Sequence, residues 1–177
     1  MLHLAGGAAV SLALLLGFWG LHPDWAEFAA QPMMAAKVAW PLALANLAGL
    51  LLLQPSGERI SLRPLALATT ALLGLWSVAV LSGGVVVTDT TVVCLISVPL
   101  LALPVAAALL WGLRHRVVTA PARTGLGAGL AADGIGALIY ALHCDEDAAS
   151  FFLLWYTVGI GLTGALGWVA GSRLLSV

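Results

Sequence analysis

Six apolar runs, each close to the length of a membrane crossing and separated by short polar breaks, constrain this chain more than any other feature. They fall at Leu4 to Leu21, Val38 to Leu53, Leu65 to Leu81, Val92 to Leu113, Gly125 to Leu142 and Phe151 to Gly171. About 20 helical residues cross the roughly 30 Å of bilayer hydrocarbon, so the pattern predicts six transmembrane helices. Composition agrees: 62% of the 177 residues are hydrophobic and 8% charged, with a mean hydropathy of +1.06. So few charges cannot cover a water-facing surface. The fold class expected is an all-α membrane protein, with residues 1–177 forming a single six-helix transmembrane domain. A secretory signal peptide is the rival reading of the first run, but Met1-Leu2-His3 lacks the Lys or Arg with which such peptides open.

The breaks carry the orientation. After the first run comes His22-Pro-Asp-Trp25, and Asp24 to Ala36 reads as a longer loop or a surface helix. Lys37 is expected to snorkel at the start of the second helix, which tolerates Pro41 in its first turn. Gln54 to Pro64 is a turn; Val85 to Thr91, β-branched apart from Asp89, suits an extended connection; Pro99 and Pro104 should bend the fourth helix. Arg59, Arg63, Arg114, Arg116, Arg123 and Arg173 fall in the second and fourth loops and at the C-terminus, leaving Lys37 opposite. The positive-inside rule then makes both termini cytoplasmic. The seven tryptophans suit membrane-interface anchors.

Chemistry-bearing residues crowd into one stretch, Ala141-Leu-His-Cys-Asp-Glu-Asp147. The six-helix topology puts Cys94 at the outer start of helix four and Cys144 at the outer end of helix five. A disulfide or a shared soft-metal site is then geometrically open, with His143, Asp145, Glu146 and Asp147 as further ligands. Ordinary packing of two small apolar residues competes with both readings. Asp133 lies eleven residues before Cys144, about 16 Å deeper along a helix. An acid there is expected to be neutral, hydrogen-bonded to a group such as Thr163 or Asn46, or to line a wet path with Asn46. The wet path would make the chain a small transporter or channel using intramembrane Asp133. Gly125-xxx-Gly129 and Gly167-xxx-Gly171 permit close helix contact. No nucleophile triad, zinc-protease motif, phosphate loop or CxxC pair occurs, so an enzyme is disfavoured. A formal net charge of -1 argues against direct nucleic-acid binding.

Tyr140-Ala-Leu-His-Cys144, followed by Glu146, Phe152, Trp155-Tyr156 and Gly159-Ile160, resembles the C-terminal signature of the NrsF-like family. These negative regulators of sigma F are six-helix anti-sigma factors of the bacterial inner membrane. Cys94 matches the family's other cysteine. The resemblance implies a membrane protein that sequesters an extracytoplasmic-function sigma factor at its cytoplasmic face. It also implies sensing of heavy-metal or oxidative stress through Cys94 and Cys144 as thiols near the periplasmic face. His143 and Glu146 would stand beside them. No constitutive cofactor is implied, only a transient soft metal such as cadmium or a disulfide between Cys94 and Cys144, whose formation would change the spacing of helices four and five. The bilayer and the sigma factor are the partners. The family's cytoplasmic segment before helix one is expected to be absent here, which leaves Arg59, Arg63, Arg114 and Arg116 for sigma-factor contact.

Overall fold

The computed structural model describes residues 2–52 and 63–175 of the chain. Seven helices occur there, and no strand: α1 (Leu2–Phe18), α2 (Trp25–Ala29), α3 (Pro32–Leu52), α4 (Arg63–Gly83), α5 (Thr90–Leu113), α6 (Pro121–Tyr140) and α7 (Ala149–Leu174). The breaks end the helices for identifiable reasons. Gly20 and Gly84 adopt φ of +77° and +71°, the left-handed region open to a residue without Cβ, and they turn the chain after α1 and α4. Pro121 opens α6 at the first helical positions, where its missing N–H costs nothing. The expected loop or surface helix after α1 is α2, and residues 84–88 form an irregular connection.

α6 is the axis of the assembly. It packs against α7, α5 and α3, while α1 leans on α5 and α4 on α7. Small residues make this central position available to α6. Gly125, Gly127, Gly129, Gly134 and Gly136 are all buried, together with Ala128, Ala131, Ala132 and Ala137. A Cβ at Gly136 would come within 2.8 Å of the Val98 carbonyl oxygen in α5, and one at Gly134 within 2.9 Å of the Pro41 carbonyl oxygen in α3. At Gly125 and Gly129 it would overlap the carbonyl oxygens of Gly167 and Thr163 in α7. The two glycine spacings seen in the sequence therefore form one reciprocal α6–α7 seam in which backbone meets backbone.

The expectation of six membrane crossings is overturned. Among the described residues two helices, α5 and α7, are long and apolar enough to cross a bilayer. The sequence count treated alanine and glycine as equivalent to leucine and valine. In α6 the glycines, together with Arg123 and Asp133, dilute the hydropathy, and the helix is enclosed by protein on nearly every side. α1 is a shorter apolar helix, and in α4 the apolar part is Gly74–Gly83. Cytoplasmic placement of both termini rested on an even count of six crossings and falls with it.

The apolar exterior is concentrated on the two long helices. Val92, Val93, Ile96, Leu100, Leu103 and Trp111 are exposed along one face of α5, and Val158, Leu162, Leu166 and Val169 along one face of α7. From Val93 to Leu103, and from Val158 to Val169, these positions advance by three or four residues, the spacing of a single helical stripe. Four tryptophans tie segments together. The indole N–H groups of Trp19, Trp40, Trp76 and Trp155 donate to Ser97 Oγ, Thr157 Oγ1, the Leu153 carbonyl and the Val86 carbonyl, at 3.1, 3.0, 3.0 and 2.9 Å. Each bond joins two separate segments near the end of the bundle that carries Cys144.

Candidate functional site

The first turns of α5, the last turn of α6 and the start of α7 converge at that end. Cys94 projects from α5 and is completely buried; Cys144 follows α6 and is 3% exposed. Both are free thiols, and they lie close enough to influence one another electrostatically. Tyr140 and Tyr156, both buried, enclose them, with ring centroids 6.4 Å apart in an edge-on arrangement. The Tyr140 hydroxyl lies beside Ser97 of α5. The Tyr156 hydroxyl lies within electrostatic reach of both sulfurs and faces Cys144, yet it makes no hydrogen bond of standard geometry.

Local winding sets the Cys144 position. The N–H groups of His143 and Cys144 both donate to the Tyr140 carbonyl, at 2.9 and 3.1 Å, so the last α6 turn tightens before the chain leaves it. The His22 N–H reaches the Leu142 carbonyl at 3.1 Å and ties the turn to the segment after α1.

Lys37 holds the turn from the other side. Its side chain is completely buried, and Nζ donates to the Cys144 carbonyl at 2.9 Å and to Asp147 Oδ1 at 3.0 Å. The ammonium also lies 5.2 Å from the centre of the Phe28 ring. Snorkelling toward water, the sequence expectation, is therefore not what Lys37 does. Burial pushes the Cys144 thiol above its ordinary range, while the Lys37 ammonium and the Glu146 backbone N–H oppose that rise. The sign gives a pH dependence. A thiol held neutral by folding contributes stability below the unfolded-chain value of about 8.5, and this is lost as pH rises through the higher folded-state value. The unfolding midpoint is expected to fall between about pH 8 and 10, and to fall less in Cys144→Ser; identical pH profiles for the two proteins would refute the assignment.

The other sequence-predicted residues are distributed unevenly. His143 packs against Tyr140, centroids 5.7 Å apart, and its Nδ1 is buried without a hydrogen-bond partner. Glu146 meets Cys144 through its backbone, and Asp145 is exposed. No group of three or more His, Cys, Asp or Glu side chains gathers as a metal site among the described residues. Asp133 is completely buried and lies within electrostatic reach of Cys94, though not of hydrogen-bonding to it; Thr163 Oγ1 donates to its Oδ1 at 2.8 Å, the helix-to-helix bond anticipated from sequence. Asn46 does not join it. Exposed on α3, its amide donates to the Leu42 carbonyl one turn back, at 2.7 Å. Arg114 and Arg116 are exposed beyond α5. Arg63 opens α4, and Arg59 lies outside the described residues.

Sequence reasoning missed Lys37 and Tyr156 as parts of this site. A signal for Lys37 existed, as a lone cation in an apolar run predicted to end level with Asp145, Glu146 and Asp147. Tyr156 carries none beyond its place in the quoted signature.

Comparison with known proteins identifies the family. The family described as "Negative regulator of sigma F" matches residues 1–176. A probable anti-sigma-F factor NrsF of Azospira oryzae is 30% identical over 185 residues, covering 98% of this chain and 86% of the relative. The anti-sigma-F factor NrsF of Caulobacter vibrioides is 30% identical over 184 residues, covering 96% and 84%. No solved structure matches. With a match over essentially its whole length, and with the Tyr140 to Cys144 signature folded around a buried thiol pair, the chain belongs to the negative-regulator-of-sigma-F family, a class of regulatory anti-sigma factors and not of enzymes.

Proposed function

We propose that this chain is an inner-membrane anti-sigma factor that holds an extracytoplasmic-function sigma factor of the sigma-F kind and releases it under heavy-metal or oxidative stress. The names of both relatives support the partner. Membrane placement rests on α5 and α7, whose length and outward apolar stripes suit hydrocarbon. Arg114, Arg116, Arg123 and Arg173 cluster where α5 and α7 end and α6 begins, which favours that end as the cytoplasmic one. The sigma factor docks there, and the thiols lie at the opposite end.

The observation that carries the sensing step is the convergence of Cys94 and Cys144, from two different elements, in one buried cluster. A soft divalent cation such as Cd(II) would displace one proton from each thiol and bind both sulfurs. An oxidant such as chromate would take two electrons and leave a disulfide and two protons. Either event changes the spacing of α5 and the α6–α7 turn, and α6 transmits it because its glycines bring it into backbone contact with α3, α5 and α7. An arrangement favoured by about 3 kcal/mol shifts a two-state bundle more than a hundredfold.

The test is release of co-purified sigma factor by stoichiometric Cd(II) or by chromate. Cys94→Ser, Cys144→Ser and the double variant should still capture the sigma factor and no longer release it. A double variant that releases it as the parent does would refute sensing by this pair.

A further inference from the structure

A groove of about 480 Å3 runs between α5 and α7, away from the thiols, with α6 as its floor. Its walls are apolar, formed by Leu103, Ala107 and Leu110 on one side and Leu166, Ala170 and Leu174 on the other. Pro99 and Thr163 line it toward the thiol end, and Trp111 and Arg114 line it toward the end where α5 finishes. The Arg114 guanidinium lies 4.9 Å from the centre of the Trp111 ring, and among the described residues no carboxylate pairs with it. Arg116 and Arg173 are exposed near the same end.

We infer that this groove seats one acyl chain of an anionic phospholipid, with the phosphate against Arg114. The inference rests on the membrane placement of α5 and α7 proposed above. Three observations select this occupant. Pro99 to Trp111 is twelve helical steps, about 18 Å, close to the roughly 15 Å depth of one leaflet's hydrocarbon. Over that length a single acyl chain about 5 Å across at van der Waals contact fills on the order of 350 Å3, which the groove accepts. An unpaired guanidinium beside an indole, at one end of an apolar slot, complements an anionic headgroup at the membrane interface. The groove opens sideways between the two helices suited to cross the bilayer, so the lipid enters from the membrane.

The test is native mass spectrometry of the full chain in mild detergent, exchanged against equal amounts of phosphatidylglycerol and phosphatidylcholine. The expected result is one retained phosphatidylglycerol per chain, preferred about tenfold, the worth of a single charge-assisted contact. Ala107→Trp, which fills the groove from an exposed wall position, should lose the retained lipid. Arg114→Gln, an exposed substitution that removes the charge and its contact with the Trp111 ring, should keep a lipid but lose the preference. Equal retention of the two lipids by the parent would overturn the inference, as would undiminished phosphatidylglycerol on a folded Ala107→Trp. Sigma-factor capture measured alongside separates the two proposals. A parent that retains the lipid but captures no sigma factor sinks the functional reading alone. Loss of capture in Ala107→Trp with lipid retention unchanged would show the groove to be a protein-docking surface and overturn the lipid assignment.

Discussion

Gly129→Val is expected to be among the most damaging single substitutions in the described part of the chain. A Cβ at Gly129 would overlap the Thr163 carbonyl oxygen and stand 3.1 Å from the Gly164 Cα, so it meets backbone and no side chain that could rotate aside. The seam is reciprocal. A Cβ at Gly167 would stand 2.9 Å from the Gly129 Cα, and one at Gly171 would stand 2.6 Å from the Gly125 Cα. Pushing α7 away at this level also pulls Thr163 from Asp133, leaving a completely buried carboxyl without its donor. Overpacking of a well-filled site costs about 1–3 kcal/mol, and an unsatisfied buried polar group adds about 1–3 kcal/mol. Against a total stability of about 5–15 kcal/mol, the combined cost of about 2–6 kcal/mol is a large share. The control is Gly161→Ala, on α7, the other helix of the seam, with open space where its Cβ would stand; it should be neutral or stabilising by up to about 1 kcal/mol through helix propensity. Denaturant unfolding of the two variants checks the prediction, and equal midpoints would show that the seam is not held by close backbone contact.

The same glycines explain what was legible before the structure and what was not. Every apolar run became a helix: the runs at 92–113, 125–142 and 151–171 are α5 at Thr90–Leu113, α6 at Pro121–Tyr140 and α7 at Ala149–Leu174. Apolar continuity and glycine or proline punctuation are local properties, and a single sequence displays them. What surrounds a helix is not local. Gly134 reads as one more small residue of an oily run, and nothing within α6 says that Pro41 and Ala45 of α3 press on that position. Six apolar runs were therefore taken for six crossings, whereas α6 is sheathed in protein. The thiols show the same division. Placing Cys94 and Cys144 at one end required only that α5 and α6 run antiparallel. Lys37 lies 107 residues from the carbonyl that it holds, and no periodicity connects them.

Asp147→Ala is expected to loosen the thiol turn while leaving the helices assembled. Its carboxylate is the only anionic partner of the completely buried Lys37 ammonium among the described residues. Once it is removed, the ammonium keeps only the Cys144 carbonyl and the Phe28 ring. Breaking a buried pair from one side costs about 3–5 kcal/mol. Asp147 is 40% exposed, so water already screens the pair and a cost of about 2 kcal/mol is the better expectation. Lys37→Met should cost less, because it removes the charge that needs burying, keeps much of the apolar stem and returns Asp147 to water. The strain falls on the turn, because both Lys37 contacts lie within residues 144–147. A turn that opens about 2 kcal/mol more easily exposes Cys144 roughly thirtyfold more often, and alkylation of that thiol should accelerate by the same factor in Asp147→Ala. In Lys37→Met the turn also loosens, but the cation that opposes the rise of the Cys144 thiol is gone, so acceleration at the same pH should be smaller. Measuring both rates on the Cys94→Ser background isolates the one sulfur. Rates equal to the parent in both variants would mean that Lys37 and Asp147 merely share a location, and that access to Cys144 is governed by the aromatic walls of Tyr140 and Tyr156 instead.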